Sequence, residues 1–480
     1  MSGTDVVDLA IVGFGGAGAA AAITAHDAGA SVVVLEKQAA AAHTPSTRMS
    51  GGLVMAADSA DEAAAYLDAC AGGMVPGDVT AAWAESATDV LAWLEKTAGL
   101  TFSRINTVEH PELPGAAGLG VYQPGRAAFR LDPSAGAGDA LFAAVAGAVA
   151  QRGIDVRWET PAQRLIVEDG RVVGVRTAAG EIRARAVILT CGGYEFDEEL
   201  KRDHLRAYPV HFYGNPGNTG DGVRMAQAAG AGLWHMNQMI GRAIGHFPLD
   251  TADGGWLNFL IDVNPPGYLI VDRHGRRYAD ETMQAQLLHG FYYEMLSYDY
   301  ERAEYARIPS YWLFDSRRLA AGPLTLTHLG ACKVGLYDWS PDNSAEIERG
   351  WIGRGATPAE AGAAVGMPDP QSLDAAVRDY NALTEDPLGR PAESLLPLEP
   401  PYYCVPLYPG GSNTSGGPVR DAGGRVLDPW GDPVPGLYAA GELGQPVGML
   451  YPADGANLSE AFCFGRIAAS TALKTRVMEP

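Results

Sequence analysis

The chain has 480 residues, and its 35 Lys and Arg against 57 Asp and Glu give a formal net charge of −22, which disfavours nucleic acid and anionic membrane as partners. No run is apolar and long enough to span a bilayer, and the length leaves room for two or three domains. The five cysteines (Cys70, Cys191, Cys332, Cys404, Cys463) are scattered and form no CxxC, so no metal or disulfide framework is expected.

Residues 6–12 are apolar and β-branched enough for a buried parallel strand. Gly13, Gly15 and Gly18 follow at once, and the Ala-rich run to residue 28 predicts a helix. Gly13 suits a tight turn, Gly15 lets the backbone approach a pyrophosphate, and Gly18 allows close helix–strand packing. Gly16 and Ala17 complete the turn, whose N–H groups and helix dipole favour phosphate. A second strand over 31–35 ends in Glu36, placed as a ribose-binding acid should be, with Lys37 beside it. The competing reading is an ordinary βαβ unit whose glycines serve packing.

Further along, 61–99 carries helical spacing and 136–153 predicts another Ala-rich helix. Residues 155–185 predict a β-meander turning at Asp169-Gly170, and 187–190 a buried strand running into Gly192-Gly193. The polar loop 215–222 precedes a helix, and its Asp221 either bonds a ribityl chain or caps that helix. From about residue 230 aromatics and prolines become frequent, so an inserted domain is expected over 232–397, closed by the proline-rich stretch 396–401. The expected organisation is 1–231, 232–397 and 398–480, with the last part returning to the first.

The glycine turn alone does not separate NAD from FAD. The far end favours FAD. There 428–440 predicts a strand pair delivering Gly441-Glu442, and Gly455-Ala456-Asn457-Leu458 opens a helix through Arg466. A helix start aimed at the flavin C2 carbonyl would stabilise the anionic reduced ring. The fold class expected is therefore α/β: a Rossmann-like FAD-binding domain built from both chain ends, with an inserted α+β capping domain.

These stretches resemble the fumarate reductase/succinate dehydrogenase flavoprotein superfamily over nearly the whole chain. The resemblance is carried by the glycine turn, Ser50-Gly51-Gly52, Cys191-Gly192-Gly193-Tyr194-Glu195, Gly220-Asp221-Gly222, Gly275-Arg276-Arg277-Tyr278-Ala279-Asp280-Glu281, Thr414-Ser415-Gly416-Gly417 and 436–442. It implies FAD contacts at Ser50, Gly51, Gly52, Gly193, Asp221, Gly441, Glu442, Asn457 and Leu458, and a mobile cap. Within the superfamily, Tyr451-Pro452-Ala453-Asp454-Gly455 looks like the 3-ketosteroid Δ1-dehydrogenases. That likeness implies a Tyr451 hydroxyl and a Gly455 N–H holding a ketone oxygen. Two donors on one carbonyl oxygen stabilise an enolate and acidify the adjacent C–H. The plainer reading of Tyr451 is a packed aromatic before a turn.

The chain also departs from the pattern. Where steroid dehydrogenases carry a Tyr base and fumarate reductases an Arg donor, four residues after Glu281, this chain has Ala285. His289, Tyr292 and Tyr293, later on the same expected helix, are the replacements on offer. A tyrosine would need a nearby cation or donor to act as a base, and a histidine would not. A second polarising Tyr is missing ahead of Pro111-Glu112, with His110 as stand-in. Arg48 either holds a substrate carboxylate or balances the reduced flavin. His43 stands too far from the Gly-Gly pair for the histidyl-flavin pattern, so FAD is expected to be non-covalent.

The leading expectation is desaturation of a cyclic or steroid-like ketone, with hydride transfer to flavin N5 and an unspecified electron acceptor. The alternatives are a fumarate-reductase-like ene-reductase and a flavin-binding protein without turnover. Isolated thiols and a start lacking a basic segment before an apolar stretch predict a cytoplasmic protein without a signal peptide.

Overall fold

A computed structural model of the protein describes residues 6–106, 108–126, 129–130, 137–249, 255–265, 267–283 and 289–478. The chain divides into two compact units. One comprises the chain up to Leu205, Asn215–Met239 and Asn413 onwards; the other comprises Arg206–Gly214 and Ile240–Ser412.

The first unit is built on a mainly parallel sheet. Its strand order is Arg425–Leu427, Pro433–Ala439, Gly180–Leu189, Val7–Val12, Val32–Leu35, Asp155–Arg157. Val7–Val12 is central, pairing in parallel with Val32–Leu35 (Ile11 opposite Val34) and with Gly180–Leu189 (Ile11 opposite Ile188). Leu9, Ala10, Ile11 and Val12 are buried, as a strand covered on both faces requires. The helix Gly16–Asp27 crosses between the first two strands and packs on the helix Ala456–Met478. Their contact is close because Gly465 lacks a Cβ, which would lie 2.5 Å from the Ala17 carbonyl oxygen. The two ends of the chain thus make one core.

Three element boundaries in this unit differ from those expected. The separate strand over 187–190 is the end of the ten-residue strand Gly180–Leu189. Its first half pairs antiparallel with Arg171–Thr177 and its second half in parallel with Val7–Val12, because no turn residue intervenes to break it. The strand pair expected over 428–440 is instead Arg425–Leu427 and Pro433–Ala439. Asp428 turns the chain between them, its side chain accepting from the N–H groups of Trp430 and Asp432, both at 2.9 Å. The last helix does not stop at Arg466 but continues to Met478, since neither Gly nor Pro stands between Arg466 and Met478.

The second unit holds a sheet ordered Trp256–Leu260, Met239–Pro248, Tyr402–Thr414, Ser310–Asp315, Tyr268–Val271. Phe247, Phe259, Trp312, Phe314, Trp339 and Trp351 fill its core, which is the origin of the aromatic character seen in the sequence. Tyr402–Leu407 pairs with Ser310–Asp315, so the unit reaches Ser412 rather than closing at 397. The prolines over 396–401 mark the start of a strand, not the end of a domain. Among the described residues, no helix is long and apolar enough to cross a membrane.

Candidate active site

The glycine turn separates into residues that pack and residues that face open space. A Cβ on Gly13 (φ +101°) would lie 2.6 Å from the Thr190 carbonyl oxygen, and one on Gly18 would lie 2.1 Å from that of Gly13. These two glycines let the turn close on itself. A Cβ on Gly15 would meet nothing nearer than 3.9 Å, so Gly15 keeps an open face. The N–H groups of Gly15, Ala17 and Gly18 have no acceptor among the described residues, while that of Gly16 donates to Thr47 Oγ1 at 2.9 Å. The first helical turn carries no acidic residue. Unpaired donors at a helix start, with a face that admits close approach, are the chemistry a pyrophosphate needs.

Glu36 is buried and closes the same loop, accepting from Phe14 N–H at 2.9 Å and Gln38 N–H at 2.8 Å. Its pKa is lowered: burial opposes ionisation, but His43 and the two backbone donors outweigh it. His43 stands 3.5 Å from Glu36, stacks on Phe14 and meets Phe142 and Trp158 edge-on. His43, Phe14, Phe142 and Trp158, with Arg48 and Asp139, line a cavity of about 540 Å³.

Arg48 is committed within the unit, pairing through Nε with Asp139 at 2.6 Å and donating from Nη1 to the His43 carbonyl at 2.8 Å. Ser50 Oγ donates to Thr47 O at 2.7 Å, and Gly52 (φ +72°) packs where a Cβ would lie 2.4 Å from the Ala137 carbonyl carbon. The Ser50-Gly51-Gly52 turn therefore abuts the start of the helix Gly138–Gln151. Asp221 does not cap its helix. Gly220 occupies the N-cap, and Asp221 instead pairs with Lys37 Nζ at 2.7 Å. Gly193 is held against Thr414, whose Oγ1 would be 2.2 Å from a Cβ there.

Gly441-Glu442 is fixed by a residue the sequence did not single out. Arg420, fully buried, donates to the carbonyls of Ala439 (3.2 Å), Gly441 (3.1 Å) and Gly444 (2.6 Å), and pairs with Glu460 at 2.7 Å. Its neighbours Val419 and Asp421 give no sequence signal of its burial. Glu442 accepts from Ser46 Oγ and Asn218 Nδ2, each at 3.1 Å.

Tyr451 and Gly455 bracket the start of the helix Ala456–Met478. The Tyr451 phenol oxygen accepts from Asn457 N–H at 3.3 Å. Gly455 takes φ +83°, where a Cβ would lie 2.6 Å from the Leu53 carbonyl, and its N–H has no acceptor among the described residues. The N–H of Leu458 likewise has none there. Between Tyr451 and Gly455, Pro452 is anchored from outside: Tyr66 O–H donates to its carbonyl at 2.6 Å, and Glu109 N–H does so at 3.1 Å. The Tyr66 oxygen in turn accepts from His110 N–H at 3.2 Å. His110 thus contributes its backbone to this loop, and its ring lies 3.7 Å from Glu112. Replacing Tyr66 with Phe takes the acceptor from His110 N–H and leaves the Pro452 carbonyl with the Glu109 N–H alone. It is expected to lower stability by about 1–3 kcal/mol and to reduce turnover at unchanged FAD affinity, as thermal unfolding and steady-state kinetics will show.

The remaining expected residues lie in the second unit. Tyr292 and Tyr293 sit in the short helix Phe291–Met295, and His289 precedes it in a turn rather than sharing a long helix with Glu281. Ala285 lies outside the described residues. Tyr292 is buried against Gly241, its hydroxyl has no partner among the described residues, and desolvation raises its pKa. Tyr293 is 37% exposed, and its pKa is also raised by desolvation despite Arg206. Both phenols are thereby held protonated.

Donors for a pyrophosphate at one chain end, and a clamped Gly-Glu segment with a second helix start at the other, define a dinucleotide-binding flavoprotein fold. The chain belongs to the FAD_binding_2 family, FAD binding domain, which matches residues 8–458. It is an FAD-dependent oxidoreductase acting on CH–CH bonds. It is 29% identical to a 4-oxocyclohexanecarboxylate 2-dehydrogenase of Sinomonas cyclohexanicum, over 97% of this chain and 92% of that one. It is 27% identical to a 3-oxosteroid 1-dehydrogenase of Mycolicibacterium smegmatis, over 96% of each. Among solved structures it is similar to the 3-ketosteroid delta1-dehydrogenase from Sterolibacterium denitrificans, with a TM-score of 0.82 at 23% identity, covering 98% of this chain and 100% of that one.

Proposed function

We propose that the protein removes hydrogen from the carbons next to the carbonyl of a cyclic ketone, leaving a conjugated enone. The observation that carries this reading is the donor pair at Tyr451 and Gly455, one a phenol and the other a backbone N–H without an acceptor among the described residues. Both relatives just named are dehydrogenases of oxo compounds.

Bound FAD supplies the hydride acceptor. The work left to the protein is to hold the ketone and move a proton. Tyr451 and Gly455 donate to the carbonyl oxygen, which lowers the cost of enolate character as the α-proton leaves. His289 is the proposed acceptor of that proton; Tyr292 and Tyr293, whose pKa values burial raises, are the poorer candidates. FAD is proposed to be non-covalent. His43, the one histidine raised as an attachment point, is enclosed by Phe14, Phe142 and Trp158. The five free cysteines support a cytoplasmic location.

Anaerobic titration with a panel of cyclic ketones tests the proposal. Loss of the visible band of oxidised flavin with a ketone, with the enone as product, is the expected result. Bleaching by no ketone, together with reduction of an unsaturated acid by the dithionite-reduced protein, would establish the ene-reductase instead. That alternative loses its main support here, because Arg48 is engaged by Asp139 and the His43 carbonyl.

A further inference from the structure

A buried histidine that the proposed chemistry does not use joins separate segments of the first unit. His235 is 8% exposed and lies parallel to the Trp234 ring, with centroids 4.4 Å apart. Its backbone holds φ +54°, a conformation that residues with a side chain rarely adopt. Both ring nitrogens face carbonyl oxygens: Nδ1 lies 3.1 Å from Gln445 O, and Nε2 lies 3.1 Å from Met74 O. Among the described residues, no backbone N–H donates to either carbonyl. Gln445 and Tyr451 stand in one short segment, and Met74 lies in the turn after the helix Ala60–Ala71. The end of that helix holds the residues just ahead of Tyr451. Met449 N–H donates to Ala71 O at 3.3 Å, and Leu450 N–H to Cys70 O at 2.9 Å. The ring therefore sits between the two segments that set how the chain enters Tyr451.

We propose that His235 is a positioning residue for Tyr451, on the reading that Tyr451 holds the ketone. As an imidazolium it ties both carbonyls; as a neutral ring it ties one and releases the other. A carbonyl oxygen only accepts, and a neutral imidazole carries a single N–H. The neutral ring must turn a lone pair toward one of the two oxygens, whereas the imidazolium donates to both. That second proton is costly to hold. Burial keeps the His235 titration below the ordinary histidine range, and Arg420 adds to this, against the pull of the two carbonyls. Arg420 is the charged group acting on the ring, and its own charge is met by Glu460. Trp234, Met74, Gln445 and Gln238, whose N–H donates to His235 O at 2.8 Å, carry no charge.

Acid thus has two opposite effects. A folded value below the unfolded one gives stability that is present above the ordinary histidine range and is lost as pH falls through the folded value. Over the same fall, the segment leading to Tyr451 gains its second hydrogen bond. A histidine that only filled space would not separate the two.

The experiment follows the ring nitrogens of the holoprotein, with isotope-labelled histidines, by NMR from mildly alkaline pH to the acid limit of folding. The His235 signals are assigned by their loss in His235→Gln. We expect one protonated nitrogen at neutral pH and two in acid, with both protons protected from exchange with solvent. In parallel, kcat is measured for the native chain, His235→Phe and His235→Gln with a ketone that bleaches the flavin. His235→Phe keeps a ring on Trp234 but donates nothing, and is expected to lower kcat by about tenfold at unchanged FAD affinity. The ratio of native to His235→Phe kcat should rise as pH falls. The same ratio for His235→Gln, which can donate to one carbonyl at any pH, should stay level. Taking ratios cancels the titration of the proton acceptor, which all these chains share. A native ratio that is constant across pH, or a His235 ring that keeps a single proton down to the acid limit, overturns the proposal. Should His235→Phe fail to fold, the native ring decides: two protected protons in acid support the joint, and protons exchanging as fast as those of an exposed histidine refute it. If no ketone bleaches the flavin, the ketone reading fails, and the same ring protons still decide whether His235 ties both carbonyls.

Discussion

Tyr451→Phe is expected to lower turnover by about 10²–10³-fold while leaving FAD affinity and unfolding temperature nearly unchanged. The phenol oxygen accepts from Asn457 N–H, which polarises its O–H bond and strengthens it as a donor. Losing one of two donors to a developing oxyanion removes stabilisation that grows only as the proton leaves, so the loss falls on kcat. Exchange of the ketone's α-hydrogens with deuterated solvent should fall in parallel, because the same enolate character is required. The backbone arm cannot be tested as cleanly, since a Cβ at Gly455 would strike the Leu53 carbonyl at 2.6 Å and move the loop. Unchanged turnover and exchange in Tyr451→Phe would remove the phenol from the mechanism.

Arg420→Ala is expected to destabilise the protein by about 3–5 kcal/mol and to release FAD. The substitution leaves Glu460 without its partner in a fully buried site and frees three carbonyls of the segment carrying Gly441-Glu442. Even with the arginine in place, burial pushes the Glu460 carboxyl up to about 7, so without it the acid must take a proton to remain inside. The double variant Arg420→Met with Glu460→Leu separates two effects. It should regain most of the stability, because no lone charge stays buried, yet still bind FAD poorly, because the carbonyls remain unclamped. Thermal unfolding and flavin retention on gel filtration read the two outcomes separately. Full FAD retention by the double variant would show that the clamp is dispensable.

What could be read along the chain, and what could not, follows from the range of each interaction. The turn through Gly13, Gly15 and Gly18 and the acid Glu36 were legible because strand, turn, helix and strand are contiguous, each leaving a local pattern. Gly441-Glu442 was legible as a motif, but Arg420 and Glu460, which hold it, were not. A buried ion pair has no periodicity, and its members stand 40 positions apart. Tyr66 was hidden in the same way, an apolar-face residue of the helix Ala60–Ala71 whose partner, Pro452, lies near the other end of the chain. The expected long helix carrying His289, Tyr292 and Tyr293 gave way to a turn and the helix Phe291–Met295, with Gly290 just ahead of it. Arg48 shows the opposite limit. Its place before Ser50-Gly51-Gly52 suggested a free cation, and only coordinates reveal Asp139 waiting for it.

The seam between Gly180–Leu189 and Pro433–Ala439, where Ile188 faces Tyr438, has a consequence for biosynthesis. A ribosome releases Val187–Leu189 long before it makes the strand that lies alongside. Throughout that interval the nascent polypeptide displays an apolar ribbon margin with unsatisfied amides, an invitation to aggregation that a chaperone or rapid elongation must suppress. Premature termination anywhere ahead of Pro433 makes the exposure permanent, so truncated translation products of this protein should be insoluble.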